Sequence, residues 1–337
     1  MKVKTQKIHA WITRATVAYP HDLAKAFSEQ FGVTRATAAT WLRKLVAEDW
    51  VRKDGTTRPI WSPGPRRLLV SRYSLPDLEE TLCWTRDFAP YLALPDRIAD
   101  IAHYGFTEML NNAIDHSGGE WVRVGVMQTA TRLYLYLHDN GIGVFERIAT
   151  GLKLPDRRLS LLELSKGKCT TDPSRHTGEG IFFTSRVFDR FTLEANDLQF
   201  VHDIALNHDW LREQDDSDLR LGTRLRMTIR LDSIRTLRAV FDQYTDSDEW
   251  TFTRTVIPVR LARLGNENLL SRSQAKRVIH RFDQFKTVIL DFEGITDIGQ
   301  AFADEVFRVF ASAHPELSLT TINASPCVMS MINRVTK

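Results

Sequence analysis

Two adjacent runs, EWVRVGVMQ at 120–128 and RLYLYLHDN at 132–140, alternate apolar and polar residues with a period of two. That period sends successive side chains to opposite faces of a pleated strand, so each run is a strand with one face covered. Further alternation in FTLEAND, LQFVHDIAL and GTRLRMTIRL extends the pair to a mixed sheet of about five strands within residues 77–232. Residues 77–117 read as helical and supply helices for one face of that sheet. The acidic run REQDDSDLR between the last two alternating segments reads as a solvated hairpin loop.

The N-terminal 72 residues differ in both period and charge. They hold 14 Lys and Arg against five acids, a balance of +9 in a chain whose total is +3. A cationic end on a mildly acidic remainder suits a domain that touches phosphates. After Pro20, HDLAKAFSEQFG has helical periodicity and stops at Gly32. Thr34 then caps a second helix that puts Ala38, Leu42 and Leu45 on one face. Arg35 opens that helix, and Thr37, Thr40, Arg43 and Lys44 form its other face. An Asp54-Gly55 turn follows between short strands with basic tips at Arg52, Lys53 and Arg58. The segment reads as a winged helix-turn-helix whose second helix reads double-stranded DNA, and residues 63–76 (Pro63 to Pro76) read as a linker.

From Asp232 a helix, SIRTLRAVFDQY, leads into a third unit at 250–337, where TFTRTVIPVRLA, KTVILDFEGI and LSLTTINAS are strands. Between them SRSQAKRVIHRF and AFADEVFRVFASAH are helices, so this unit is a small α/β domain. The fold expected for the whole chain is therefore multidomain α/β. Apolar residues make up 43% and charged residues 26%, which excludes a mainly disordered or collagen-like chain. No stretch approaches about 18 consecutive apolar residues, and the N-terminus lacks an apolar core of signal-peptide length. A cytoplasmic protein without membrane contact is expected. Cys83, Cys169 and Cys327 form no Cys-x-x-Cys pair and read as ordinary thiols.

Four motifs stand in fixed order in the middle segment. On the helix TEMLNNAIDHS, Glu108 and Asn112 lie one turn apart with Asn111 and Asp115 on the same face, opposite an apolar stripe of Ala102, Phe106, Met109 and Ala113. Asp139-Asn140-Gly141-Ile142-Gly143 ends a strand, and Thr177-Gly178-Glu179-Gly180-Ile181 opens a helix whose amides offer an anion site. Gly222-Thr223 opens a long alternating strand.

In this order and spacing the motifs resemble the nucleotide site of the GHKL ATPases, the group of gyrase, heat-shock chaperone, histidine kinase and MutL. The resemblance covers roughly residues 95–232 and implies an α/β sandwich that binds ATP and Mg²⁺. It implies that Asn112 ligates the metal, that Glu108 polarises the attacking water or hydroxyl, and that Asp139 accepts the adenine amino group. Gly141 and Gly143 match the close-approach glycines, Thr177, Gly178 and Gly180 the phosphate turn, and Thr223 the threonine that fixes the base through water. His116 lies where some relatives place a ligand contact. The lid of the family corresponds to LLELSKGKCTTDPSRHTGEG, where Lys166, Lys168, Arg175 and His176 are cations over the triphosphate. No Gly-x-x-x-x-Gly-Lys-Ser/Thr loop occurs.

The last segment resembles a STAS-like domain, the fold of anti-anti-sigma factors, through SRSQAKRVIHRF and ILDFEGITDIGQAFADEVF. The turn that carries a phosphorylatable serine in those factors reads Asp297-Ile298-Gly299 here, without a hydroxyl; Thr296, Ser271 and Ser273 are the nearby hydroxyls. Together the resemblances imply an ATP- and DNA-binding regulator, a Mg²⁺-dependent ATPase that contacts a protein partner through the STAS-like domain; a homodimer is compatible with them, since dimers are common among winged-helix proteins and related ATPases. A serine/threonine kinase of the partner-switching type is the second reading. A histidine kinase is disfavoured, because no dimerising helical hairpin with a phosphoacceptor His precedes the pocket.

Overall fold

The computed structural model describes residues 5–75, 78–170, 177–205, 208–213, 221–246, 251–265 and 267–337. The chain is mixed α/β and divides into two compact units. One is Met1–Gly141 with Phe188–Phe191 and Gly222–Ile234, and the other is Ile142–Val187 with Thr192–Leu221 and Arg235–Lys337.

The first unit begins with three helices, α1 (Thr5–Ala18), α2 (Leu23–Phe31) and α3 (Arg35–Ala47). Helix α1 was not anticipated, although Ile8, Ile12 and Ala15 recur at helical spacing and are buried. Gly32, at φ 63°, ends α2, and the Thr34 hydroxyl accepts from Thr37 N–H at 3.2 Å to start α3. Leu23 and Phe27 pack with Ala38, Leu42 and Leu45 and with Trp50 in one core. A hairpin of β1 (Val51–Asp54) and β2 (Ile60–Pro63) follows, paired from Val51↔Pro63 to Asp54↔Ile60.

The stretch expected to be a linker contains β3 (Arg67–Ser74), which pairs antiparallel with β4 (Trp121–Gln128) along its whole length. Pro63 and Pro65 punctuate only its approach; from Arg67 onward all N–H groups are free to join a ladder. The helical stretch 77–117 breaks into α4 (Glu80–Asp87) and α5 (Asp96–His116), with Pro90 and Pro95 in the break. Strand β5 (Arg132–Asp139) pairs antiparallel with β4.

Chain order continues with α6 (Val144–Gly151), α7 (Leu159–Lys166) and α8 (Gly180–Val187), then β6 (Arg190–Ala195), β7 (Leu198–Asp203), β8 (His208–Glu213) and β9 (Thr223–Arg230). In the first unit β9 pairs antiparallel with β5, so four strands run in the order β3-β4-β5-β9. In the second unit β7 pairs antiparallel with β8. The sheet is expected to be mixed, and every pairing with a described register is antiparallel; β4–β5 and β7–β8 are joined by short connections that leave no room for a crossover. Residues 214–220 of the acidic run, and Arg175 and His176, lie outside the described residues.

The second unit closes with α9 (Leu237–Phe241) and β10 (Arg254–Pro258), then α10 (Arg272–Ile279) and β11 (Thr287–Asp291). After these come α11 (Gln300–Ala303), a π-helical stretch Asp304–Phe310, α12 (Ala311–Ala313), β12 (Ser318–Ile322) and α13 (Pro326–Thr336). Strands β10, β11 and β12 form a parallel sheet in that order, the topology that helical crossovers enforce. A capping box between Ser271 and Gln274 starts α10. Pro258 ends β10 sooner than the run TFTRTVIPVRLA suggested. Among the described residues no helix is long and apolar enough to cross a membrane.

Candidate functional site

Strand β5 delivers Asp139 to the end of its buried face, where the side chain is 5% exposed. Its Oδ1 accepts from Gly141 N–H at 2.9 Å and from Thr223 N–H at 3.1 Å. Burial pushes the Asp139 carboxyl above its usual range, and the two N–H groups pull the other way. The walls around it are backbone. A Cβ on Gly222, which sits at φ 91°, lies 2.0 Å from the Asp139 carbonyl oxygen, and one on Gly141 lies 2.1 Å from the Ser117 carbonyl oxygen. Only glycine fits either place, so the strand end, the turn and the start of β9 close around one carboxylate.

Helix α5 is packed against β5. Ala102, Phe106, Met109 and Ala113 are buried, as the apolar stripe required. Glu108, Asn111, Asn112, Asp115 and His116 are half-buried on the helix. The Asn112 amide nitrogen donates to the Glu108 carbonyl at 2.9 Å, which leaves its carbonyl oxygen as the acceptor. That is a hard oxygen suited to Mg²⁺, and one such ligand suffices where phosphates and waters complete an octahedron. Two supports escaped the sequence reading. Asn140 Oδ1 accepts from Glu120 and Trp121 N–H, and the Ser117 hydroxyl donates to the Ala113 carbonyl while accepting from Gly119 N–H. Their signal is the pair of short polar residues at the ends of α5 and β5.

In the second unit Gly143 precedes α6 at φ 93°, and Gly180 opens α8. Thr177 is exposed, and the Gly178 carbonyl accepts from Cys169 N–H at 3.0 Å. The lysines expected over a nucleotide have other partners. Lys166 is fully buried; its ammonium donates to Glu163 at 2.7 Å and to the carbonyls of Arg277 and His280. Lys168 donates to the Gln284 carbonyl at 2.8 Å and lies over the Phe252 and Phe285 rings. In this arrangement the Lys166 ammonium is closed to any phosphate, because Glu163 one turn earlier and the end of α10 already saturate it.

Glu163 is the centre of that cluster, receiving Lys166, the Arg281 guanidinium at 2.8 Å and His280 Nδ1 at 3.1 Å. Burial alone would raise its carboxyl, but His280, Lys166 and Arg281 outweigh burial and hold it at about 2. Burial draws Lys166 down to about 8 against the pull of Glu163. Sequence reading missed Glu163, since a lone Glu in a leucine-rich helix carries no motif.

The polar face of α3 is solvent-exposed at Arg35, Thr37, Thr40, Arg43 and Lys44, as are Arg52, Lys53 and Arg58 of the hairpin. Arg43 donates to Thr40 Oγ1 at 3.2 Å, and Lys44 stands 3.8 Å from Glu48 and over the Trp41 ring. These exposed contacts hold the side chains loosely and leave them free to exchange partners.

Residues 274–329, from α10 into α13, match the family model of the STAS-like domain of unknown function (DUF4325). The C-terminal part of the chain is thus STAS-like. No curated protein matches this chain. In that domain Gly299 precedes α11 and donates its N–H to the Leu269 carbonyl at 2.8 Å, while Ser271 is committed to the cap of α10.

The cluster around Glu163 generates a stability prediction. Glu163→Gln is expected to cost about 3–5 kcal/mol at neutral pH, because Lys166 stays buried without its anion. Replacing both as Glu163→Leu/Lys166→Met recovers part of the loss, since the buried Lys166 charge is gone while Arg281 still lacks its anion. In the wild type the contribution of Glu163 is complete above its ordinary value of 4.5 and is lost as pH falls towards about 2. Denaturant unfolding at pH 7, 4.5 and 3 checks both points: the wild type loses stability across the acid range, and Glu163→Gln shows a shallower loss, because Asp87, Asp156, Glu267 and Asp304 still titrate.

Proposed function

We propose that this protein is an ATP-binding, DNA-binding regulator, in which a GHKL-type nucleotide site shares a chain with a winged helix-turn-helix and a STAS-like domain. The observation that carries the nucleotide reading is the buried Asp139. Two backbone donors occupy Oδ1, and a buried carboxylate whose second oxygen is an acceptor suits the exocyclic amine of adenine. Asn112 is the residue proposed to hold Mg²⁺, which when bound neutralises phosphate charge. Glu108, one turn earlier on α5, is proposed to orient and deprotonate a water, and its carboxylate can do so only from a helix that keeps it beside the ligand. The STAS-like match at residues 274–329 supports a protein partner.

The DNA reading is supported by the exposed face of α3 and by the +9 balance of residues 1–72. Arg43 is proposed to reach base edges, and Arg52, Lys53 and Arg58 to track phosphates.

Three experiments test these assignments. Asp139→Asn keeps an acceptor for Gly141 and Thr223 N–H but turns an NH₂ donor towards the adenine amine. Calorimetry is expected to show at least a tenfold loss of Mg-ATP affinity, with no loss of thermal stability in the nucleotide-free protein, since an uncharged amide is easier to bury. Absence of ATP binding by the wild type, or equal affinity in the variant, overturns the nucleotide reading.

Glu108→Ala is expected to keep most of the nucleotide affinity and to lose most turnover in a phosphate-release assay, whereas Asn112→Ala loses Mg²⁺-dependent binding as well. Equal turnover in wild type and Glu108→Ala removes Glu108 from the reaction.

In gel-shift titrations against genomic duplex fragments, binding is expected to fall steeply with salt. Arg43→Ala relaxes sequence preference. Arg58→Ala weakens all duplexes alike and lowers the salt slope by about one unit. A protein that binds no duplex at low salt, with or without ATP, is better described as a partner-switching kinase with a protein-docking N-terminus.

A further inference from the structure

The four strands β3, β4, β5 and β9 bury one face, and their other face is basic and aromatic. The register aligns Arg72, Arg123, His138 and Arg224 in a single row across all four strands. The next row is Val70, Gly125, Tyr136 and Arg226, and the one after it Leu68, Met127, Tyr134 and Thr228, of which Leu68 is covered by the core of the N-terminal helices, so the open part of the face lies on β4, β5 and β9. Arg132 and Arg230 continue the basic character at the far end of β5 and β9. The sole acid in these strands is Asp139, which belongs to the buried face.

Like charges directly opposite one another on a sheet destabilise it. Arg72 and Arg123 stand directly opposite each other in that row, at roughly 4.8 Å between strands, with no acid partner among the described residues. Arg230 is neutralised by Asp232 at 2.6 Å, but Arg72, Arg123, Arg132, Arg224 and Arg226 have no acid partner among the described residues. Arg72 lies 4.4 Å over the Trp121 ring, which the His138 ring meets edge-on at 5.3 Å. One guanidinium nitrogen of Arg224 is buried and has no hydrogen-bond partner among the described residues. Such a donor is unfinished until an anion reaches it.

The aromatic part of the face is open in a specific way. Gly125 stands opposite Tyr136, and a Cβ there would rest on the Tyr136 side chain at 3.8 Å. Glycine inside a strand gives up packing, and here it leaves the half-buried Tyr136 ring without a side chain opposite it on β4. Tyr134, Tyr136 and Trp121 thus interleave with Arg72, Arg123, Arg224 and Arg226 on a sheet surface.

From these observations we propose that the open face of β3-β4-β5-β9 binds single-stranded nucleic acid, with phosphates on the arginine row and bases stacked on Tyr134 and Tyr136. Residues two apart on a strand repeat at roughly 6.6 Å, a spacing that lets bases of an extended strand meet successive tyrosines. A duplex offers phosphates but hides its base faces, so it uses the arginines and leaves the rings idle. This surface is separate from α3 and from Asp139, and the proposal does not depend on either.

The test is fluorescence anisotropy of a labelled thymidine dodecamer with the full chain at low salt. Binding is expected, and Arg123→Ala and Arg226→Ala each weaken it about tenfold and lower the salt slope by about 0.7. Tyr136→Ala is expected to weaken it by a similar factor, and Tyr136→Phe, which keeps the ring, to stay within about twofold of wild type. Arg43→Ala leaves the dodecamer unaffected while altering duplex binding. Thermal melts of the exposed arginine variants verify folding, and Tyr136→Phe keeps the stacking test valid where Tyr136→Ala fails to fold. The proposal is overturned by a wild type that does not bind the dodecamer, or by arginine variants that bind it unchanged. It is equally overturned when polyglutamate competes as well as the dodecamer and a folded Tyr136→Ala binds as wild type does, which marks the face as a site for acidic protein segments.

Discussion

Burial of one face of the antiparallel strands β3, β4, β5 and β9, with α5 packed against β5, is the constraint on which the first unit depends. Val122, Val124, Val126, Leu133, Leu135, Leu137, Leu225, Met227 and Ile229 are all buried there. Each such side chain contributes roughly 1.5–3 kcal/mol relative to exposure, so a one-residue slip, which flips a whole strand, is forbidden. The register that results has two consequences. It brings Asp139 to the end of the buried face, against Gly141 and Thr223. It also lines up Arg72, Arg123, His138 and Arg224 on the other face, where the arginines have no acid partner among the described residues. A single packing requirement thus creates a dry carboxylate on one side and a cationic row on the other.

The second unit is held by a different kind of interaction. A lysine ammonium with no exposed surface is tolerable only with an anion and further acceptors, and Lys166 has Glu163 and two carbonyls. Arg281 adds a second cation to Glu163 and bonds the carbonyls of Gly167 and Lys168. The cluster joins α7 to the C-terminal end of α10, where carbonyls lack helical partners and attract cations. Removing Glu163 strands the buried Lys166 charge, so the joint is specific in a way that an apolar contact is not. Because it engages the STAS-like segment, α7 is structurally part of that neighbourhood, whatever else the adjoining residues do.

The chain thus carries three chemically distinct surfaces: a recessed carboxylate with a polar helix face beside it, an exposed basic helix followed by a basic hairpin, and an open arginine-tyrosine sheet face. They differ in how they recognise a ligand. The first discriminates by one buried acceptor whose unsatisfied cost is high. The second works through exposed, loosely held cations, whose attraction is long-ranged but sensitive to salt. The third combines cations with flat rings and so suits a ligand that has both charge and exposed aromatic faces.

Much of this was legible from local pattern. The period-two runs at 120–128 and 132–140 became β4 and β5, Thr34 capped α3, and the alternation of strands and helices after residue 250 became a parallel three-stranded sheet. These features depend on residues near one another in sequence, so spacing alone reports them. Helix α1 had the same kind of signal and was overlooked, whereas β3 lay under a proline-rich approach that resembled a linker. What the sequence by itself determined is which faces are apolar, where helices start, and which residue types are available at Glu108, Asn112 and Asp139. Only the tertiary structure decided that Lys166 belongs to Glu163 and not to the surface, and that four separate basic residues form one row. The physical reason is that burial and cross-strand register arise from contacts between residues far apart in the chain, and a charge has no preferred partner until packing removes its water.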